Sequence, residues 1–423
     1  MKRFTVLFSV LLVAVWSGTV LANSAPVVSN VSANQRGDDS KLVDIRYNLA
    51  DADGDSCTVW VVASNDGGVT WRVPIVTVWG HIGGGIAPGL NKQVVWDAGA
   101  DMAGVVGDFK VRVYADDGNS ADGLVLIPGG EYQMGDYFND YTSSPNPEKP
   151  QHWVFVDAFM MSRYEVTNQQ YVEFLNNAFS ANLIEVKTDN IVYKKTTAYA
   201  YCATYDATHE SRIGFTGSRF LLVPSGKANH PVVQVTWYGA AAYCNWRSEQ
   251  LGKELCYNPT AFTPDLSKHG FRLATEAEWE LAARGGLVNK RFPWGDTITH
   301  SQANYYSSTS YTYDVSPTRG YHPTYAVGDM PYTAPVGSFS ANGYGLYDMA
   351  GNVWEWCNDW WQSDYYGSSP YYNPPGATSG TYRVLRGGSW YYGAFLCRVA
   401  YRSGYTPDGR YYFIGFRCVL DLN

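Results

Sequence analysis

Thiols, imidazoles and a tyrosine-dense C-terminus are the groups of this 423-residue chain with evident chemical capacity. The cysteines are Cys57, Cys202, Cys244, Cys256, Cys357, Cys397 and Cys418. No two stand in a CxxC spacing, so neither a thiol redox motif nor a structural zinc site is indicated. An odd count leaves at least one thiol unpaired within the chain, and Cys57, alone in the N-terminal part, is the expected one. The histidines at 81, 152, 209, 230, 269, 300 and 322 include no HExxH or other close pair. A His-ligated catalytic metal therefore lacks its ligands. Asp51-x-Asp53-Gly54-Asp55 has the acids of a calcium loop, yet no bidentate Glu follows at the required spacing, so it reads as a solvated turn.

The C-terminus carries the stronger signal. Between Trp390 and Arg417, Ala394, Cys397, Arg398, Ala400, Arg402, Pro407, Asp408, Arg410 and Ile414 look fixed. Interleaved with them are Tyr391, Tyr392, Gly393, Phe395, Leu396, Tyr401, Ser403, Gly404, Tyr405, Gly409, Tyr411, Tyr412 and Phe413. Tyr, Ser, Gly and large apolar residues make up antibody-like contact surfaces, where Tyr gives rigid amphipathic area and Ser and Gly give adaptability. The whole chain shares the bias, with 34 Tyr and 16% aromatic residues. Its net charge is -8 and no long basic run occurs. Nucleic acid is excluded as an expected partner.

These residues need a scaffold. Residues 1–22 read as a Sec-type signal peptide: Lys2 and Arg3, an apolar run from Phe4 to Trp16, then Val20-Leu21-Ala22 before a mature start near Asn23. That run falls short of the roughly 18 to 20 residues a membrane span needs, and no later stretch reaches that length. Localisation is expected to be secreted, periplasmic or at the cell surface. Residues 24–118 alternate in strand period, as in Leu42 to Leu49, Thr58 to Ala63 and Phe109 to Tyr114, with a hairpin turn at Asn65-Asp66-Gly67-Gly68. An all-β sandwich of immunoglobulin or fibronectin type is expected there. Ala115 to Ser120 reads as a linker. From Leu124 short helices sit among Gly-, Tyr- and Trp-rich loops. Thr167 and Thr236 precede helices over 168–176 and 237–246, and Thr275 with Glu278 forms a capping box for a helix to Arg284. Beyond 286 little regular periodicity remains.

Eight ordered segments carry a resemblance: LIPGGEYQMG at Leu126–Gly135, YEVTN at Tyr164–Asn168, HPVV at His230–Val233, RLATEAEWE at Arg272–Glu280, FPWG at Phe292–Gly295, GYGLYDMAGNVWEW at Gly343–Trp356, RGGSW at Arg386–Trp390 and GFRC at Gly415–Cys418. Together they resemble the formylglycine-generating enzyme (sulfatase-modifying factor) family over residues 124–423. The resemblance implies an α+β variant of the C-type-lectin fold with low secondary-structure content. It also implies a structural calcium ion held by the Asp348 and Glu355 side chains and the Gly351 and Val353 carbonyls. A second calcium site would start at Asn304 and Tyr305, with Asp329 the nearest acid. The family's disulfide maps onto Cys244 and Cys418; pairings Cys357–Cys397 and Cys202–Cys256 stay open.

Catalysis in that family needs two copper-binding cysteines shortly after Gly-Gly-Ser, because copper(I) takes soft thiolates. Here the first of those positions is Tyr392, the loop is about three residues shorter, and Cys397 aligns with a non-catalytic position. Copper is therefore not expected. Ser389 and Trp354, which match active-site positions, are expected to support structure. The segment 387–418 also resembles the C-terminal variable region of proteins diversified by retroelements. The expected function is a secreted, non-catalytic display protein binding a protein or glycan on a cell or phage surface. The alternative is an oxidoreductase of the sulfatase-modifying type.

Overall fold

The computed structural model describes residues 26–422 apart from 69–70, 72, 74, 103–108, 118–122, 143, 206–209 and 224–226. The signal-peptide reading and part of the linker reading lie outside those residues. Among the described residues the chain is mostly β, with three helices longer than two turns. No helix among them is long and apolar enough to cross a membrane.

The N-terminal strands form two sheets. One runs Val27–Gln35, Leu42–Ala50, Gly89–Asp97, Val78–Gly80; the other runs Gly83–Ile86, Cys57–Ser64, Lys110–Asp116. Ile45, Tyr47 and Leu49 of the first share one buried cluster with Cys57, Val59 and Val61 of the second. Period-2 alternation in 42–49 thus has its physical cause in a single buried face. The strands over 42–50 and 57–64, consecutive in sequence, lie in different sheets. The turn expected at 65–68 is present: Gly68 N donates to Ser64 Oγ at 2.8 Å, and Val73 N returns to Ala63 O at 3.1 Å. At Asp51 one oxygen caps the amides of Asp53 and Asp55 at 3.1 and 3.0 Å, as an acidic turn does.

In the remainder, helices Asn168–Ser180, Trp237–Gln250 and Glu276–Arg284 start at Thr167, Thr236 and Thr275. The first runs four residues past the sequence expectation because Ala178 continues its buried face. Helix 276–284 has the reciprocal Thr275/Glu278 capping box and stops at left-handed Gly285. From Arg284 to Trp354 no helix or strand intervenes. A four-stranded sheet then runs Ser403–Tyr405, Arg383–Arg386, Trp354–Trp360, Ile414–Gly415. It carries the C-terminal segment.

Buried arginines fix that segment. Arg386 Nη2 meets Glu280 at 2.5 Å, and Arg402 grips Glu276 through two bonds of 2.8 and 2.6 Å. Arg398 grips Glu148 at 2.9 and 2.8 Å, and Arg417 grips Glu355 at 2.7 Å twice. All eight residues are buried. Charges survive burial only when so paired, and the planar guanidinium fork matches a carboxylate. Helix 276–284 thereby ties two separate C-terminal positions to one element.

Candidate functional site

The segment opens at a turn that requires glycine. Gly387 and Gly388 have φ of 92° and 74°. A Cβ on Gly388 would lie 2.8 Å from Cys397 Sγ and 2.9 Å from the Leu396 carbonyl. Beyond the turn the chain sorts its side chains. Ala394, Cys397, Arg398, Ala400, Arg402 and Ile414 are buried. Every interleaved residue, from Tyr391, Tyr392 and Gly393 through Phe395, Leu396, Tyr401, Ser403, Gly404, Tyr405 and Gly409 to Tyr411, Tyr412 and Phe413, keeps solvent contact. Tyr391 and Tyr405 are 36% and 37% exposed. Pro407, Asp408 and Arg410, grouped with the fixed set by sequence, are not buried.

The exposed rings support one another. Phe413 stacks on Tyr391 and Tyr411 at 5.6 and 5.2 Å between centroids, and Tyr392 meets its edge at 5.2 Å. Tyr405 and Tyr411 share a hydroxyl contact of 2.5 Å. That bond, more than burial, raises the Tyr405 phenol to about 12. Beneath them, buried Trp354 touches Tyr392 and Tyr401 at 6.2 and 5.9 Å. Ser389 is also buried. Such aromatic contacts hold ring orientations before any partner arrives.

Sequence reasoning missed four rings of this face. Tyr306 N donates to the Tyr392 carbonyl at 2.9 Å, Tyr311 stacks on Phe395 at 5.6 Å, Tyr321 lies 6.2 Å from Tyr391, and Tyr141 lies 5.9 Å from Phe395. The run Tyr305-Tyr306-Ser307-Ser308-Thr309-Ser310-Tyr311-Thr312-Tyr313 has the same Tyr/Ser composition and was the available signal.

The loop 348–355 braces the face from behind. Asp348, Gly351 and Asn352 are left-handed, with φ of 59°, 82° and 58°. Gly351 N donates to Gly387 O, Asn352 N to Asn304 O, and Trp390 N to Asn352 O, at 2.8 to 2.9 Å. Buried Asp348 Oδ1 and Glu165 Oε1 have no hydrogen-bond partner. Both Glu355 oxygens accept from Arg417, and one also accepts from Trp279 Nε1 at 2.8 Å. Among the described residues no three of His, Cys, Asp and Glu form a metal-holding group.

The residues of the second expected calcium site meet several protein partners. The Tyr305 carbonyl contacts His300 Nε2 at 3.1 Å, and the Asn304 amide donates to Tyr332 O and Asn352 Oδ1. The Asp329 carbonyl accepts from Arg212. The acid beside Tyr305 is Asp314, which accepts from Tyr305 Oη at 2.6 Å and from Arg319 Nη1 at 3.1 Å. Arg319 sets a guanidinium beside Asp314.

Cys244 and Cys418 face each other with sulfurs 3.5 Å apart, both buried. All seven cysteines are buried. Cys397 has no exposed surface, and burial pushes its thiol up to about 12.

Comparison with known proteins places this geometry. The model of the sulfatase-modifying factor enzyme 1-like domain matches residues 111–422. The formylglycine-generating enzyme of Streptomyces coelicolor is 34% identical over 72% of this chain and 91% of its own length. The inactive C-alpha-formylglycine-generating enzyme 2 of Bos taurus is 30% identical over 70% of this chain and 87% of its own. Among solved structures, Treponema denticola variable protein 1 is 27% identical, with a TM-score of 0.48 over 70% of this chain and 94% of that one. With its eight motifs in order and nearly three-quarters of its length matched, the chain belongs to the sulfatase-modifying factor enzyme 1-like family.

Proposed function

We propose that this chain is a secreted, non-catalytic display protein whose segment 387–418 binds a protein or glycan ligand. The observation that carries the reading is the sorting of that segment. Thirteen interleaved residues, none charged, stay at the surface while buried arginines and small residues hold the backbone beneath them. Rigid Tyr rings with Ser and Gly between them are the chemistry of general-purpose recognition. We further propose that the segment is varied by a retroelement. A reverse transcriptase gene with a near-identical template repeat beside this gene supports that; absence of both removes it without touching the binding reading.

Calcium belongs to the same proposal. The ion would take Asp348 and the Gly351 and Val353 carbonyls, sharing Glu355 with Arg417. Hard oxygen donors in a left-handed loop suit it, and the unpartnered Asp348 Oδ1 and Glu165 Oε1 are the buried oxygens a cation would relieve. Its effect would be to stiffen the loop that holds Gly387 and Trp390. A Cys244–Cys418 disulfide is likewise proposed on the facing sulfurs.

The test screens the full chain on a glycan array and a panel of purified cell-envelope proteins. A saturable hit lost in a Tyr391→Ala, Tyr405→Ala, Tyr412→Ala variant of unchanged melting temperature supports the reading. The competing reading, a sulfatase-modifying oxidoreductase, draws support from the 34% identity to a formylglycine-generating enzyme. Tyr392 at the first copper position and the fully buried Cys397 speak against it. Conversion of a peptide cysteine to an aldehyde by the copper-loaded protein would reverse the ranking.

A further inference from the structure

A cavity of about 340 Å³ lies between helices Asn168–Ser180 and Trp237–Gln250. Phe174, Ala178, Leu183, Ile184, Trp246 and Phe262 give it an apolar wall. None of the thirteen segment residues lines it. Leu183, 56% exposed, is a large aliphatic side chain left at the surface of the opening. Volume and lining fall within the range of small-molecule sites.

The polar groups in that wall are unequal. Asn245 is fully engaged by Tyr257, giving its Nδ2 to the carbonyl at 2.8 Å and taking the amide at 3.1 Å. Asn177 donates to the Glu173 carbonyl. Glu249 and Gln250 lie exposed at the rim. Two donors remain. Trp246 Nε1 is buried and meets no acceptor, its indole held by Phe174 and Tyr243 at 5.7 and 5.4 Å. Lys194 Nζ lies over the Phe262 ring at 5.0 Å, and among the described residues no carboxylate pairs with it. An indole N–H left unsatisfied and a half-buried ammonium both gain from an incoming oxygen acceptor. Neither can accept a bond.

We propose that this cavity binds a small amphiphilic carboxylate, its hydrocarbon part against Phe174, Ala178 and Ile184 and its oxygens taken by Trp246 Nε1 and Lys194 Nζ. Both inward groups are donors, so the ligand must bring acceptors to them, and its charge complements Lys194, with Glu249 kept at the solvent rim. Burial, which depresses the Lys194 ammonium pKa, agrees with a cation short of solvent.

Calorimetric titration of the full chain with decanoate and with methyl decanoate tests this. Saturable 1:1 binding of decanoate, about tenfold tighter than the ester, is expected. Lys194→Met should bring decanoate down to the level of the ester, and Trp246→Phe should weaken both by several-fold. Ala178→Phe fills the cavity and should abolish both. Leu183→Asp, at an exposed position that spares the fold, should repel decanoate selectively. No saturable binding by the native chain, equal affinity for acid and ester, or binding unchanged in Ala178→Phe and Leu183→Asp would each overturn the proposal.

Discussion

Tyr311 lies nearly flat on Phe395, with ring centroids 5.6 Å apart and planes 15° from parallel. It joins a long irregular loop to the C-terminal segment. Stacked aromatic pairs add about 0.5–1.5 kcal/mol beyond area burial. In a double-mutant cycle, Tyr311→Ala and Phe395→Ala should show a coupling of that size in urea unfolding. A coupling near zero would mean the rings merely touch.

Arg402 and Glu276 are both buried and joined by two short bonds. Removing one partner strands the other charge, which costs about 3–5 kcal/mol. Glu276→Gln and Arg402→Met should each lower stability by that order in chemical denaturation. Arg402→Lys should recover only part, since an ammonium lacks the planar fork.

Acid should loosen the scaffold through Glu280. Burial raises its pKa, but Arg284 and Arg386 more than reverse this, leaving it below the ordinary 4.5. A folded pKa below the unfolded one adds stability that is present above the unfolded value. It is lost as pH falls through the folded value. The melting temperature should therefore hold from pH 7 to about 5 and fall below about 4.5. Glu280→Gln should be less stable at neutral pH and show a flatter acid limb.

Thiol chemistry separates display from catalysis. Cys397 is wholly buried with its thiol near 12. Thiolate, the reactive form, is scarce at neutral pH. Iodoacetamide at pH 8 should leave Cys397 unmodified in the native chain and alkylate it in denaturant under reduction, as peptide mass mapping would show. Rapid native labelling would place an active thiol at this face.

Chelation tests the calcium proposal. Adding calcium to EDTA-treated protein should raise the melting temperature, and Asp348→Asn should remove most of that rise. No response in the native chain would leave Asp348 and Glu165 as ordinary buried carboxylates.

Local hydrogen bonds were legible in sequence, and long-range ones were not. Thr167, Thr236 and Thr275 announced their helices because a cap is completed within three residues. Apart from Pro407, Asp408 and Arg410, the exposed and buried residues of 391–414 could be sorted because the two sets differ in chemical type. Nothing near Arg386 or Arg402 named Glu280 or Glu276, which lie more than a hundred residues upstream. Tyr306 and Tyr311 escaped for a related reason. Their loop has no helix or strand period, and only its folded course brings it against Tyr392 and Phe395.

The arginine anchors also set an order of events. Arg398 is tied to Glu148 and Arg417 to the Ser162 carbonyl, across 250 and 255 residues of chain. Contacts so distant in sequence pay a large loop-closure cost before they form, and they slow folding. The aromatic face can take shape only after Arg398 and Arg417 are synthesised and find partners laid down long before. A chain truncated before Ala394 would lose most of the face together with the clasp that closes the scaffold.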